Sequence, residues 1–454
     1  MSSTALVWFR RDLRLHDHPG LAAARRECDR VVPVFVLDPR LAAGRFPSRN
    51  RAWFLHGCLA ELRTALCERG ADLVIREGRP ERELPALARE AGATALYFAT
   101  DVSPFATARD RRVEAAFPGA VRRQPGVFVA DVGDVRPYTV FTPFHRAWEQ
   151  LDRREVHGAP RALRFPSGLA AGRLPKAPEP EAADPFPPGE RAARERATAW
   201  LADGLERYEE RHDRLAGGTS QLSPYLHFGC LSARELEQRA RERGGHAFVR
   251  QLAWRDFYAH VLLHHPGNAR YAHQRSYDGL EWDDDAELLD AWREGRTGFP
   301  VVDAAMRQLL ATGWMHNRAR LIAGSFLTKD LHLDWRHGEA HFMRHLLCGD
   351  EASNNGNWQW IASVGADPAP YFRRMYNPMT QQRRHDPGGE YVRRWLPELR
   401  GVPDPKLAEP WTMTAAEQAA AGCAIGIDYP APVVDHKVER ERAMARYRAV
   451  GAGR

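Results

Sequence analysis

Hydrophobic and polar positions follow different patterns in different parts of this 454-residue chain. Up to residue 131, short apolar runs alternate with longer amphipathic stretches. The runs predict strands at 5–9, 31–37, 72–76, 95–99 and 127–129, and the stretches predict helices at 51–69, 81–91 and 106–117. Such alternation is typical of a parallel sheet with helices on both faces. We therefore predict a doubly wound α/β domain over residues 1–131.

The pattern changes after this domain. Residues 132–190 are rich in Pro, Gly and Ala, with one predicted helix near 143–153. Such a composition is typical of a connection between domains. From residue 191 onward the chain predicts only helices, of which the longest covers 301–330. We predict a linker over 132–190 and an all-α domain over 191–454.

Composition narrows the function classes. Hydrophobic residues make up 44% and charged residues 27% of the chain, as in ordinary globular proteins. No apolar run approaches the roughly 18 residues of a membrane span, and the N-terminus lacks the features of a signal peptide. The six cysteines have no CxxC spacing, so neither a disulfide framework nor a metal site is predicted. We expect a cytoplasmic protein without membrane contact.

The sequence after the first strand disfavours one common cofactor. No GxGxxG follows this strand, so binding of NAD is disfavoured. Doubly wound sheets bind ligands at the carboxyl ends of their strands. Asp38 and the loop 100–105 lie at such ends. Either a small-molecule site or plain loops would fit them.

Residues 348–360 combine acidic side chains, two adjacent Asn and two Trp. Amide groups match the polar edge of a planar heterocycle, and indole rings offer stacking faces. The segment predicts either one wall of a pocket for an aromatic cofactor or a helix start in an ordinary core.

Residues 217–224 follow a polar helix that contains Tyr208. Hydroxyl groups and free N–H groups at a helix start suit a pyrophosphate. Alternatively, Thr219 or Ser223 is an N-cap before Pro224.

Gln251 and Trp254 share one face of a predicted helix. They could bond and stack a flipped base, or they could be core contacts.

Residues 312–320 place Asn317, Arg318 and Arg320 close to a glycine. A guanidinium recognises phosphate or carboxylate in a planar way. His316 is expected to be an interior histidine.

Residues 371–400 hold seven arginines and three acids. The arginines are Arg373, Arg374, Arg383, Arg384, Arg393, Arg394 and Arg400. They form either a solvated surface or a surface that follows phosphates.

Several of these motifs occur in an order that resembles one known family. They are 8–14, 219–223, 254–258, 312–320, 349–360 and 371–373. The chain resembles the photolyase/cryptochrome family over essentially its full length and is most similar to bacterial class I photolyases of cyclobutane pyrimidine dimers. The resemblance implies a photolyase-type α/β domain, a long linker and an all-α domain that binds FAD. Photolyases are among the enzymes that flip their target base out of the duplex. In them, reduced FAD absorbs blue light and gives an electron to the flipped dimer; the ring splits and the electron returns.

The resemblance also implies roles for individual residues. It implies FAD contacts for Tyr208, Thr219, Ser220, Gln221, Leu222, Ser223, Arg255, Asn317, Arg320, Cys348, Asp350 and Asn354, the last beside the reactive ring nitrogen. It implies contacts to the dimer and its DNA for Gln251, Trp254, Asn317, Arg318, Trp360 and Gln381. An electron-transfer chain is implied for Trp358, Trp335 and Trp282. UV-damaged DNA is the expected partner, and the protein is expected to be a monomer.

Three departures from the family pattern have consequences. Cys348 replaces an Asp that pairs with the residue matching Arg320, so we expect Arg320 to find another anion such as Asp350. Gln251 replaces the Glu usual in dimer-specific enzymes, which lowers the expected efficiency. The Cys–Lys pair of folate-antenna members is absent near 267–270. The loop 101–105 is more similar to members with a deazaflavin or flavin antenna.

Two other functions compete with dimer repair. One is a cryptochrome-like FAD photosensor, and the absence of a C-terminal extension speaks against it. The other is repair of the (6-4) photoproduct, for which relatives use a His pair at positions matching Asn317 and Leu321. Retention of Trp254, Asn317 and Trp360 favours dimer repair.

Overall fold

The N-terminal part of the protein is a parallel sheet. The computed structural model describes residues 3–368 and 370–451. The expectations about the two chain ends involve Met1, Ser2 and Arg454, which lie outside the described residues. The strands are β1 (Thr4–Phe9), β2 (Arg30–Leu37), β3 (Val74–Glu77), β4 (Ala95–Ala99) and β5 (Ala120–Gln124). They pair in the order β3-β2-β1-β4-β5, and all pairs are parallel. The doubly wound sheet is confirmed.

Helices cover both faces of this sheet. They are α1 (Pro19–Glu27), α2 (Pro39–Ala42), α3 (Arg49–Cys67), α4 (Pro80–Ala91) and α5 (Pro104–Ala116). Along β1, Ala5, Val7 and Phe9 face one core and Leu6 and Trp8 face the other. Helices α1 and α3 pack in the first core, and α4 and α5 in the second. The first core continues into the helical part of the chain, so the sheet and the helices share one apolar interior.

Three elements of the α/β part differ from the sequence prediction. The fifth strand is Ala120–Gln124 and not 127–129, which is irregular. β5 is an edge strand, and both of its arginines are exposed, so it lacks the apolar run that marks an inner strand. Helices α1 and α2 were also missed.

The linker contacts both parts of the molecule. It contains one helix, α6 (Phe141–Glu149), close to the predicted one. The N–H of Leu163 donates to the Arg69 carbonyl in the α/β part, while Trp148 Nε1 donates to Asp256 in the helical part at 3.0 Å. Burial raises the pKa of Asp256 to about 6, although Trp148 and two backbone N–H groups donate to it.

The rest of the described chain is helical. The helices are α7 (Glu190–Ala199), α8 (Tyr208–Arg211), α9 (Ser223–Phe228), α10 (Ala233–Arg241), α11 (His246–His264), α12 (Ala286–Glu294), α13 (Pro300–Thr312), α14 (Asn317–Lys329), α15 (Trp335–His345), α16 (Glu351–Ile361), α17 (Pro378–His385), α18 (Glu390–Trp395), α19 (Ala415–Ala421) and α20 (His436–Gly451). Within residues 191–368 and 370–451, extended pairing is limited to two isolated bridges. Among the described residues, no helix is both long enough and apolar enough to cross a membrane.

The predicted long helix over 301–330 is wrong. Gly313 has a left-handed backbone (φ +67°) and ends α13, after which α14 starts at Asn317. Glycine adopts this conformation without steric cost and commonly ends helices. The break brings the first turn of α14 to the wall of the site.

Candidate functional site

The candidate site is a cavity between the start of α14 and one face of α16. It is lined by Asn317, Arg320, Leu321, Phe342, Leu346, Cys348, Ser353, Asn354, Asn357, Trp358 and Ile361 and encloses about 500 Å³, including its open mouth. Its five residues from α16 recur every three or four positions and therefore share one helix face. The structure brings together five residues singled out from the sequence, which are Asn317, Arg320, Cys348, Asn354 and Trp358.

An ion pair from the α/β part fixes the start of α16. The carboxylate of Asp350 accepts the backbone N–H of Ser353 at 2.9 Å and the guanidinium of Arg11 at 2.5 Å. Burial alone would raise the pKa of Asp350, but Arg11, His227 and Arg255 outweigh it and hold this pKa well below its usual range. The sequence pattern did not single out Arg11 because its partner is 339 residues away.

The adjacent asparagines are held by a single buried acid. Asn354 Nδ2 donates to the Glu339 carbonyl at 3.1 Å, and Asn355 Nδ2 donates to the Glu339 carboxylate at 2.8 Å. Arg45 pairs with the same carboxylate at 3.1 Å. These contacts leave the Asn354 side-chain carbonyl as the group able to accept a hydrogen bond from a donor in the cavity.

Two glycines allow α16 to pack closely. A Cβ added to Gly356 would overlap the ring of Tyr258, and one added to Gly338 would overlap Trp358. Gly338 lies one turn after Trp335 on α15. Close packing at these two positions sets the depth of α16 in the core.

Arg320 does not pair with Asp350, so that expectation is wrong. Its Nη2 lies 3.3 Å from Cys348 Sγ, and its Nε donates to the Met315 carbonyl at 2.9 Å. The Asp350 carboxylate is taken by Arg11. Within the described chain, Arg320 therefore has no carboxylate partner in the cavity wall.

The predicted phosphate segment is a tight loop before α9. Gly218 and Gln221 have left-handed backbones (φ +81° and +53°), and Leu222 is buried. Thr219 Oγ1 is buried and has no hydrogen-bond partner among the described residues. Buried hydroxyl groups normally have such a partner, so the Thr219 hydroxyl is available to bind a polar ligand.

Other side chains of the segment are bonded within the protein. Ser220 Oγ accepts a backbone N–H of the same loop at 3.4 Å. Gln221 accepts from Arg196 at 3.0 Å, and Ser223 accepts from Trp314 Nε1 at 3.2 Å. These bonds stabilise the loop conformation.

Tyr208 is a buried aromatic residue at the start of α8. Its ring packs edge-on against Trp200 at 5.7 Å and Phe248 at 5.5 Å. Burial raises the pKa of its hydroxyl. Its contact to a cofactor stays a prediction.

The three predicted electron-transfer tryptophans are not in one line of ring contacts. Trp358 and Trp335 are buried, and Trp282 is half-buried. The ring of Trp358 packs edge-on against Trp292 and Phe342, with centroids 6.0 Å and 4.9 Å apart. No ring contact in the described part of the chain joins Trp358 to Trp335. Trp292 was not singled out from the sequence, where it is one apolar position of an amphipathic helix.

Gln251 and Trp254 lie one turn apart on α11, as predicted. Gln251 is exposed and Trp254 is half-buried. The Trp254 ring stacks on Phe141 of the linker helix, with centroids 3.7 Å apart and planes 4° apart. The linker therefore covers one face of Trp254.

Trp360 and Gln381 belong to α16 and α17. Trp360 is half-buried, and the Arg374 guanidinium lies 3.9 Å from its ring centroid. Trp360 Nε1 and Gln381 Oε1 are buried without a hydrogen-bond partner in the described structure. Both side chains have polar atoms left for a ligand.

Arg318 and Arg255 already bond to the protein. Arg318 forms an ion pair with Asp213 at 2.7 Å. Arg255 donates to the carbonyls of Val127 and Leu226, at 2.8 and 3.3 Å, and it does not line the cavity. Their predicted contacts to DNA and FAD stay predictions.

His316 is an interior histidine, as expected. Its Nδ1 accepts the Arg318 backbone N–H at 3.0 Å and caps α14. Burial lowers its pKa to about 4, so the ring is neutral at physiological pH.

The predicted arginine surface is smaller than the sequence indicated. Arg374 is buried, and Arg383 and Arg393 form ion pairs with Glu409 and Asp404. The exposed arginines without an ion pair to the described residues are Arg373, Arg384, Arg394 and Arg400.

Sequence reasoning missed six cavity residues. Asn357 and Ile361 follow Asn354 and Trp358 by three positions, so helical spacing was a usable signal for both. Ser353 and Leu321 adjoin singled-out residues. Phe342 belongs to α15 and Leu346 directly follows this helix, and neither carries a local signal.

Two family models match the chain. Residues 5–163 match the family described as DNA photolyase. Residues 248–449 match the FAD binding domain of DNA photolyase. Together the two models cover most of the sequence.

Individual proteins agree with these matches. A deoxyribodipyrimidine photo-lyase of Streptomyces griseus is 44% identical over 97% of this chain and 98% of its own length. The crystal structure of a class III photolyase from Agrobacterium tumefaciens is similar with a TM-score of 0.92 at 34% identity, covering 100% of this chain and 98% of that one.

A second solved structure carries more than one flavin. It is an archaeal photolyase from Sulfolobus tokodaii with two FAD molecules, similar with a TM-score of 0.86 at 31% identity, covering 98% of this chain and 100% of that one. The 44% identity to a photo-lyase over nearly the whole chain and the match to both family models lead to the same conclusion. The chain belongs to the DNA photolyase family.

Proposed function

We propose that this protein repairs cyclobutane pyrimidine dimers in DNA with blue light and bound FAD. The observation that carries the proposal is the arrangement of α16. One face of this helix lines a cavity that suits a flavin, and Trp360 at its end lies outside that lining, where a flipped base can stack.

The residues of the site fit FAD. Asn317, Asn354 and Arg320 place polar groups beside the apolar ring of Phe342, which suits the polar edge and flat faces of a flavin. The unpartnered hydroxyl of Thr219 suits the phosphate region. When bound, reduced FAD supplies the light-excited electron that opens the cyclobutane ring.

We assign the phosphates and the ribityl chain to Tyr208 and residues 219–223. Asn354, oriented by Glu339, offers a carbonyl oxygen to a ring N–H of the cofactor. Asp350 caps α16 and neutralises the charge of Arg11 in an ion pair. Their shared task is to hold the cofactor and exclude water.

The lesion side is assigned to aromatic stacking. Trp254 and Trp360 each offer one ring face, and stacking on a base contributes about 1–3 kcal/mol. Gln251 can bond the edge of a thymine, but its carboxamide cannot act as an acid. We therefore expect binding of the dimer with less proton-transfer assistance than a Glu would give.

Repair of the (6-4) photoproduct receives no support from the cavity. Asn317 and Leu321, the positions where such relatives carry His, both lie in its wall. Neither side chain can donate a proton as an imidazolium does. The cyclobutane dimer is the better-supported substrate.

A flavin or deazaflavin antenna stays part of the proposal. The loop 101–105 lies at the carboxyl end of β4 and is fixed by Asp101, which accepts the backbone N–H of Val102 at 2.7 Å and lies 3.6 Å from Arg11. The two FAD molecules of the Sulfolobus photolyase support a flavin in such a second site. Extraction of the chromophores from purified protein tests this point.

Three further expectations belong to the proposal. They are a monomeric state, a cytoplasmic location and domain bounds at 1–131, 132–190 and 191–454. Sedimentation of the FAD-loaded protein tests the first, fractionation of cells the second, and limited proteolysis within 132–190 the third.

The test of function compares two lesions. Reduced, FAD-loaded protein is mixed with DNA that carries either a cyclobutane dimer or a (6-4) photoproduct, in the dark and under blue light. We expect loss of the cyclobutane dimer only, and only in light. Loss of the (6-4) lesion alone would reverse the assignment, and loss of neither would indicate a photosensor.

A further inference from the structure

One ring face of Trp360 is already covered by a buried cation. The guanidinium carbon of Arg374 lies 3.9 Å from the ring centroid, and Arg374 is only 2% exposed. A cation over an indole face is attracted by the ring quadrupole, and the attraction is stronger when the cation is desolvated. The stack is therefore well placed to orient the ring.

Arg374 is anchored at both ends. Its Nη1 donates to the Trp360 carbonyl at 2.7 Å and its Nη2 to the Asp367 carbonyl at 2.6 Å. Its own carbonyl accepts from Lys329 Nζ at 2.7 Å and from Ser325 Oγ at 3.1 Å. The guanidinium thus cannot move away from the ring without breaking its two hydrogen bonds to backbone carbonyls.

Lys329 extends this anchor to the end of α16. Its Nζ also donates to the Ile361 carbonyl at 2.6 Å. Burial holds the pKa of Lys329 well below its usual range. The end of α16, helix α14 and the segment before α17 are joined through the side chains of Arg374 and Lys329.

The indole itself has no comparable polar anchor. Trp360 Nε1 is buried without a hydrogen-bond partner among residues 3–368 and 370–451. The orientation of the ring therefore depends on packing, and Arg374 supplies the stacked neighbour. Trp254 has the same construction, with Phe141 stacked on one face at 3.7 Å.

We propose that Arg374 is a positioning residue for lesion recognition. It holds Trp360 in one orientation and covers its inner face, so that a flipped base can stack on the outer face alone. The inference rests on the proposed role of Trp360 on the lesion side. It adds that selectivity for damaged DNA depends on a residue that never touches the DNA.

Two variants of Arg374 test the proposal. Arg374→Met removes the charge and the hydrogen bonds, and Arg374→Lys keeps the charge but loses the planar fork. Affinities of FAD-loaded, full-length protein are measured in the dark for one oligonucleotide with and without a thymine dimer. We expect Arg374→Met to lower affinity for the dimer-containing DNA roughly tenfold, with a smaller loss for Arg374→Lys. Affinity for undamaged DNA is expected to stay constant.

The neighbouring exposed arginine is the matched control. Arg373→Gln removes a cation from the surface. It should therefore lower the affinities for damaged and undamaged DNA equally and leave their ratio unchanged. The ratio of affinities for damaged and undamaged DNA should fall in the Arg374 variants but not in Arg373→Gln. This difference separates ring positioning from general attraction to phosphates. If Arg374→Met fails to fold, Arg374→Lys decides: an unchanged ratio overturns the proposal.

Trp360→Ala separates the two levels of the argument. If it binds dimer-containing DNA as tightly as the parent protein, the lesion-side role of Trp360 is wrong. If it loses selectivity while both Arg374 variants keep theirs, only the positioning role is wrong. Reduced selectivity in all three variants supports both.

Discussion

The inner face and the outer end of helix α16 differ in how their side chains are held. Trp358 on the inner face is 3% exposed and packs against Gly338 and Trp292. Trp360, two residues later, is half-buried, and the Arg374 guanidinium stacks on its ring. A resident cofactor needs a fixed wall, whereas a substrate that enters and leaves needs an open one. Under the proposed function α16 would serve both, because positions two apart on a helix point in nearly opposite directions.

The strongest test of this difference is Trp358→Phe. Phenylalanine keeps the packing but is much harder to oxidise than an indole, so light-driven reduction of oxidised FAD should be nearly abolished. Repair by enzyme that has been reduced beforehand should be largely intact. Absorbance of the flavin under illumination and loss of dimers measure the two properties. Unchanged photoreduction would refute the assignment of Trp358 to the electron path.

Trp360→Ala should give the opposite pattern. Loss of one stacking face should lower affinity for dimer-containing DNA roughly 10- to 100-fold, since base stacking contributes about 1–3 kcal/mol. Photoreduction of FAD should be unaffected because the inner face is unchanged. Equal loss of photoreduction would mean that the two faces are not independent.

Cys348→Asp tests the inner face more finely. The new carboxylate should pair with Arg320, which now has only the thiol and a backbone carbonyl nearby. Neutralising this cation disfavours the anionic reduced flavin, so the midpoint potential of bound FAD should fall by on the order of 30 mV. Spectroelectrochemistry measures the shift, and Cys348→Ser is the control of similar size. Equal potentials in the two variants would contradict this account.

The smallest expected effect concerns the outer surface. Binding of damaged DNA should weaken as salt rises, because arginines on phosphates release counterions. Arg373→Gln should reduce the slope of log affinity against log salt by about 1. Arg393→Gln should change it little, because Arg393 pairs with Asp404 at 2.6 Å. A flat salt response of the parent protein would mean that this surface does not follow phosphates.

The parts predicted well from sequence are those with local signals. Periodicity identified four of the five strands, and the motif around Asn354 and Trp358 identified the cavity wall. The missed parts depend on distant partners. β5 carries arginines at an edge, and the single Gly313 breaks a run that otherwise looks helical.

Contacts between residues far apart in the sequence could not be predicted from local patterns. Arg11 pairs with Asp350, and Arg374 lies under Trp360. The sequence identifies Arg374 only as one of seven clustered arginines, and it indicates the partner of neither residue. The expectation that Asp350 would replace the missing partner of Arg320 failed for this reason. The acid was already engaged by the α/β part.

The central claim is that this cavity and this outer face together repair DNA with light. The most direct measurement follows DNA with a single cyclobutane thymine dimer during blue illumination of the reduced, FAD-loaded protein. The account predicts that intact thymines reappear in light, that none reappear in the dark, and that the flavin remains reduced after each turnover. Persistence of the dimer under illumination, with FAD bound and reduced, would contradict it.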